Sequence, residues 1–112
     1  MATERLKKLN DLLRDEAGKI LKKELELNDA LVTVVRADIS PTLEHATIWI
    51  SVFPESQEGQ ALREINQNIY SLQQALNKRL VMRPVPKIRF EIDRTEEEAA
   101  YIEKLIDNTV KS

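Results

Sequence analysis

The chain has 112 residues, 32% of them charged and 42% apolar, with a formal net charge of -2 and no cysteine. This composition suits one folded domain and excludes a disulfide framework, thiolate metal sites and a wholly disordered chain. Gly18 and Gly59 are the only glycines, so phosphate-cradling glycine loops are absent, and no apolar run resembles a secretory signal or a membrane span. A cytoplasmic protein with no membrane partner is expected.

From Thr3 to about Leu25, Leu6, Leu9, Leu13, Ala17, Ile20 and Leu21 recur at three- and four-residue spacing, which predicts a long amphipathic helix. Gly18, in its middle, is expected to mark a close packing contact. Asn28-Asp29 is a break. Ala30 to Ile39 is rich in β-branched residues and predicts a strand, and the Ser40–Glu44 stretch, with Pro41, predicts a turn. His45 to Phe53 alternates, with Ala46, Ile48, Ile50 and Val52 on one side, so the two strands form an antiparallel hairpin.

Pro54 to Gly59 reads as a loop. From about Gln60, a second helical stripe runs through Leu62, Ile65, Ile69, Leu72 and Leu76 to about Leu80. Pro84 and Pro86 force extended backbone on the residues before them, and Ile88, Phe90 and Ile92 alternate along a third strand. Thr95 with Glu98 reads as a capping box that opens a last helix through Ala99, Ile102, Leu105 and Ile106. The expectation is one α+β domain over residues 1–112, a three-stranded sheet with helices packed on one face.

Residues 77–90 carry Lys78, Arg79, Arg83, Lys87 and Arg89 and no acid, in a chain that is acidic overall. A cluster of this kind is a candidate phosphate-binding surface. Arg79 and Arg83 have the planar fork that grips a phosphate through two donors. Lys87 and Arg89, alternate residues of one strand, would project together from the side opposite Ile88 and Phe90. A solvated surface segment, pairing with acids of the last helix, is the plainer reading of the same charges.

Two stretches resemble ribosome-binding factor A, the bacterial factor that assists maturation of the small ribosomal subunit. The hairpin pattern of that family is matched by Leu31 to Val34, Asp38, Ser40-Pro41-Thr42-Leu43-Glu44-His45-Ala46, and Ile48 to Val52. Its third-strand pattern is matched by Arg79-Leu80, Arg83, Pro86-Lys87-Ile88-Arg89-Phe90 and Asp93. Arg5 and Lys8 stand at the spacing of the family's two N-terminal basic residues. The resemblance implies a type II K homology (KH-like) fold with a mixed sheet, in which a helix kink marked by Ala-x-Gly replaces the usual Gly-x-x-Gly loop. That triplet falls here on Asn68, Ile69 and Tyr70, and the glycine before the basic run falls on Asn77. Asparagine tolerates left-handed backbone, so Asn68 and Asn77 are the candidates for a bend.

The resemblance further implies a non-enzymatic assembly factor that acts without cofactor or metal. Its partners would be the immature 30S subunit and its 16S rRNA, including the precursor 5′ region, with ribosomal proteins as further contacts and the factor itself a monomer. Lys78, Arg79, Arg83, Lys87 and Arg89 would hold rRNA phosphates, with Arg5 and Lys8 in support.

An alternative from another class is a protein–protein adaptor that docks through the open sheet face around Trp49. The plainer reading of Trp49 is a cross-strand platform under a long side chain such as Arg36 or Arg89. Glu96, Glu97 and Glu98 suit a helix start without any metal. His45, the single histidine, has no cysteine or Ser/His/Asp arrangement beside it. Tyr70 and Tyr101 are expected to be packing residues.

Overall fold

The structure is a computed structural model that describes residues 2–25 and 30–95. The first helix, α1 (Ala2–Glu24), turns Leu13, Ala17, Ile20 and Leu21 into the core and leaves Lys7, Lys8, Lys22 and Lys23 in solvent. Gly18 does not mark the close contact expected of it: a Cβ built there meets no atom within 4 Å. The Asn28-Asp29 break lies outside the described residues.

Strands β1 (Leu31–Ile39) and β2 (His45–Phe53) form the antiparallel hairpin that the alternation predicts. Its turn is closed by hydrogen bonds from Leu43 N–H to the Ser40 carbonyl and from Ser40 N–H to the His45 carbonyl, both 2.8 Å. Leu43 takes a φ of 63°, a left-handed conformation that costs a leucine about 1 kcal/mol. Packing of its side chain against the core offsets that cost. The pairing shifts between Val34 and Arg36, where Val35 is an extra residue. The bulge keeps Val32 and Val34 on the same face as Ala37 and Ile39 despite the odd spacing between the two pairs.

After Pro54 come a 3-10 turn (Glu55–Gln57), α2 (Glu58–Gln67), α3 (Ile69–Arg79) and the last described strand, β3 (Lys87–Ile92). The expected loop through Gly59 is therefore shorter than predicted, and helix begins at Glu58. The expected single stripe is two helices, interrupted at Asn68, whose φ and ψ are -109° and 14°. The Asn68 N–H is shared between the carbonyls of Glu64 (3.2 Å) and Ile65 (3.1 Å), and its Nδ2 also donates to the Glu64 carbonyl at 2.8 Å. The bend thus comes from a side-chain amide competing for backbone acceptors, with no left-handed residue. Asn77 stays inside α3, where its Oδ1 accepts from Gln73 Nε2 at 3.1 Å.

β3 pairs parallel with β2, which gives a mixed sheet in the order β1-β2-β3. Helix, hairpin, broken helix and returning strand make the α+β, type II KH-like arrangement. All the described helices pack on one face: Ile48 and Ile50 from the sheet meet Leu13, Ile65, Leu72 and Leu76, each of them at most 1% exposed.

Two amide side chains fasten strand ends to helices. Asn10 Oδ1 accepts from Ile39 N–H at 2.8 Å; Gln73 Oε1 accepts from Ile88 N–H at 2.9 Å while its Nε2 donates to the Pro86 carbonyl at 3.0 Å. Both clips act at the same end of the sheet, where Ile39, Ala46 and Ile88 stand in register.

The helix expected after Thr95, with Glu96, Glu97, Glu98 and Tyr101, lies outside the described residues. Thr95, the last described residue, donates its N–H to Asp93 Oδ1 at 2.9 Å. Bonds from the Thr95 hydroxyl and N–H hold the Asp93 carboxyl below the usual carboxylate range.

Candidate nucleic-acid interface

The basic segment leaves α3, passes through an irregular stretch and enters β3, so its five cations point in different directions. Lys87 and Arg89 alternate with the buried Ile88 and Phe90 and stand out from the open sheet face. Lys78 and Arg79 are in the last turn of α3, on the helix side, where a groove of about 500 Å³ brings them together with Lys23 of α1 and Tyr70. A continuous patch of all five is therefore not what the fold builds.

Three of the five side chains are partly committed within the protein. Arg79 Nε donates to Glu16 Oε2 at 2.6 Å, joining α3 to α1. The Arg79 hydrogen bond is the largest cause that lowers the Glu16 carboxyl, with the charges of Lys19 and Arg79 adding to it against the cost of desolvation. Arg83 Nη1 donates to the carbonyls of Leu80 (2.7 Å) and Met82 (2.8 Å), which closes the end of α3. Arg89 is lightly held: Nε donates to Thr47 Oγ1 at 3.1 Å and Nη2 lies 3.6 Å from Glu91, with 69% of the side chain exposed. Lys87 and Lys78 are exposed and make no ion pair among the described residues.

Lys87 and Arg89 rim a hollow of about 450 Å³ whose other walls include Asp38, Ser40, His45 and Thr47. Two cations beside hydroxyl donors and a turn can hold phosphate oxygens; Asp38 sets the border of that surface. The N-terminal half of α1 lies at this end of the sheet, because Asn10 is bonded to Ile39. Arg5 and Lys8 are exposed five and two residues before Asn10.

Trp49 is half-buried on the open face. Its Nε1 donates to Asp38 Oδ2 at 2.9 Å, and the Arg36 guanidinium sits 4.8 Å from the ring centroid. Arg36 is also its register partner on β1, so the cross-strand platform forms with Arg36 rather than Arg89. One face of the indole is already occupied. Tyr70 is not the packing residue expected of it: it is 75% exposed, because Ile69, Leu72 and Leu76 take the inward side of α3.

Sequence reasoning passed over Asn10 and Gln73, the residues that orient this end of the sheet. Their signal is an amide at the border of an apolar stripe, Asn10 beside Leu6, Leu9 and Leu13, and Gln73 beside Ile69, Leu72 and Leu76. A helix that must only bury itself has no need of an amide there.

A profile of the family described as "Ribosome-binding factor A" matches residues 5–106. A ribosome-binding factor A from Prochlorococcus marinus (strain MIT 9215) is 34% identical over 107 residues, covering 92% of this chain and 82% of its own. The one from Akkermansia muciniphila is 26% identical over 108 residues, covering 96% and 86%. Among solved structures, the crystal structure of ribosome-binding factor A from Thermus thermophilus superposes with a TM-score of 0.68 at 26% identity, covering 76% of this chain and 91% of that one. A homology model of the Thermus thermophilus ribosome-binding factor A, fitted into the cryo-EM map of a 30S complex, gives 0.67 at 25% identity, covering 80% and 96%. The profile takes in both strands of the hairpin, the broken helix and the cationic strand described above, and on that match the chain belongs to the ribosome-binding factor A family.

Proposed function

We propose that this chain binds the immature small ribosomal subunit as a monomeric, non-catalytic assembly factor of the cytoplasm. In this reading residues 1–112 act as one ribosome-binding unit that touches 16S rRNA through phosphates and shape. It supports late maturation of that rRNA, its precursor 5′ region included, and then departs. The observation that carries the reading is the pair of cations Lys87 and Arg89 on the open face, rimmed by hydroxyl donors at the end of the sheet. The relative fitted into a 30S complex supports the choice of partner.

The anchors are ranked first by their place on the open face and then by how free each side chain is. Lys87 and Arg89 come first. Lys78, Arg83, Arg5 and Lys8 add charge as rRNA wraps round the end of the sheet, and Arg79 serves mainly to hold Glu16. Ribosomal proteins are further partners at the rim.

Charge reversal tests this directly. Lys87→Glu with Arg89→Glu, in the full chain, should weaken co-sedimentation with small subunits at least tenfold, since phosphate contacts dominate such affinities. The slope of log affinity against log salt should fall by roughly 1 to 2, about 0.7 per lost single-strand phosphate contact. Wild-type co-sedimentation by the double variant would sink the assignment. An adaptor docked on protein alone would instead survive ribonuclease and tolerate salt.

A further inference from the structure

β1 is an outer strand: β2 pairs with one of its edges, and no described strand pairs with the other. Such an edge carries a row of backbone donors and acceptors. One end of it is closed, since Ile39 N–H donates across it to Asn10 Oδ1 at 2.8 Å. Strand alternation turns the N–H and carbonyl of Val32 and Val34, which share a face with Ile39, toward the same edge. There α1 supplies no counterpart to Asn10 among the described residues. A hollow of about 340 Å³ lies instead between α1 and residues 31–34 of β1.

Gly18 lines that hollow, and it is the residue of α1 that the fold explains least. A glycine inside a helix weakens it relative to alanine. Yet a Cβ at Gly18 would meet nothing within 4 Å, so the described protein has no contact that requires a glycine there. Space left bare beside unpaired backbone suits the close approach of a second backbone. The helix wall is cationic: Arg14, Lys19 and Lys22 stand there with Asp15 as the one acid. Arg14 and Lys19 reach only acids of their own helix, at 3.2 to 3.6 Å. Lys22 makes no ion pair among the described residues.

We infer that the edge of β1 from Leu31 to Val34 takes an extended, acidic segment of a partner protein as an added strand. Donors and acceptors alternating along an edge match another strand, and a nucleic acid offers no such ladder. The bulge at Val35 breaks the edge and limits the pairing to about four residues, roughly 13 Å at 3.3 Å per residue. Alternate side chains of the incoming strand face α1, where carboxylates meet Lys22, Lys19 and Arg14. The side chains between them lie beside Leu31, which is 65% exposed on the open face. A second copy of this chain fits poorly, because its own α1 would set cations against cations. The groove is at the opposite end of the sheet from Lys87 and Arg89, so this binding does not rest on the rRNA reading.

The probe is an acetylated peptide of alternating glutamate and valine, added to the isotope-labelled full chain. At peptide about tenfold above its dissociation constant, hydrogen exchange at Val32 and Val34 should slow about tenfold. Exchange at Ile39, already held by Asn10, should stay as it was. Gly18→Leu fills the hollow and removes a mid-helix glycine, so it should raise the urea midpoint while weakening the peptide at least tenfold. Lys19→Glu with Lys22→Glu should weaken it about tenfold. Unprotected Val32 and Val34, wild-type peptide affinity in Gly18→Leu, or equal binding of an alternating lysine and valine peptide would overturn the acidic strand. So would the same protection from oligouridylate, or from raising the protein concentration alone, which would make nucleic acid or a second copy the occupant. Lys87→Glu with Arg89→Glu should leave peptide binding intact, so this reading and the rRNA reading fail separately.

Discussion

Neighbouring residues of β2 meet opposite surroundings. Ile48 and Ile50 are wholly buried against the helices, while Thr47, Trp49 and Ser51 look out from the same strand beside Arg36 and Arg89. Because one face supplies the core, the other can carry cations and hydroxyls at little cost to stability. Folding and binding are therefore separable residue by residue, at a period of two.

Substitutions on the two faces should show this as effects of very different size. Ile48→Ala is expected to destabilise the protein by about 3 kcal/mol in denaturant unfolding, the cost of a cavity in a dry core. The salt slope of subunit binding should stay as it was in the molecules that remain folded; a changed slope would break the separation. Gln73→Ala leaves Ile88 N–H and the Pro86 carbonyl without their partner and should cost about 2 kcal/mol. It should also speed hydrogen exchange at Ile88, since Gln73 holds the start of the cationic strand to α3. If exchange there is unaltered, the clip does not position Lys87.

The helix side carries its own charge test. Arg79→Ala should cost about 1 kcal/mol at neutral pH, because it strips the partner from a carboxylate whose side chain is only 15% exposed. Glu16 is lowered when folded, so the stabilisation from this pair is complete above the ordinary carboxylate range and is lost as pH falls through the folded value. Urea midpoints measured down an acid series should therefore fall less steeply in Arg79→Ala than in the wild type. Equal steepness would mean that Glu16 owes its lowering to other groups. The smallest effect is expected on the open face, where Thr47→Val removes the hydroxyl that Arg89 touches and should move stability by under about 0.5 kcal/mol. A loss above about 1 kcal/mol would show that this face contributes to folding after all.

Most elements were legible because each carries its own period. Leu13, Ala17, Ile20 and Leu21 announce a helix, and Ala46, Ile48, Ile50 and Val52 a strand, without reference to anything distant. The break at Asn68 was harder to read, since the apolar stripe runs straight across it and only a local contest for the Glu64 carbonyl ends α2. The bulge at Val35 left a trace in the spacing of Val34 and Ala37. Tyr70 misled, because its exposure depends on which side of α3 the core claims.

The basic segment marks where local reading stops. That residues 77–90 are cationic and free of acid is a property of the chain alone, as is the alternation that sets Lys87 and Arg89 against Ile88 and Phe90. Tertiary structure alone decided that Arg79 would meet Glu16 from 63 positions away, that Arg83 would turn onto carbonyls at the end of α3, and that Lys78 would stand on the helix side. Periodicity is a short-range property fixed by backbone geometry, whereas the partner of a long charged side chain depends on where distant segments come to rest.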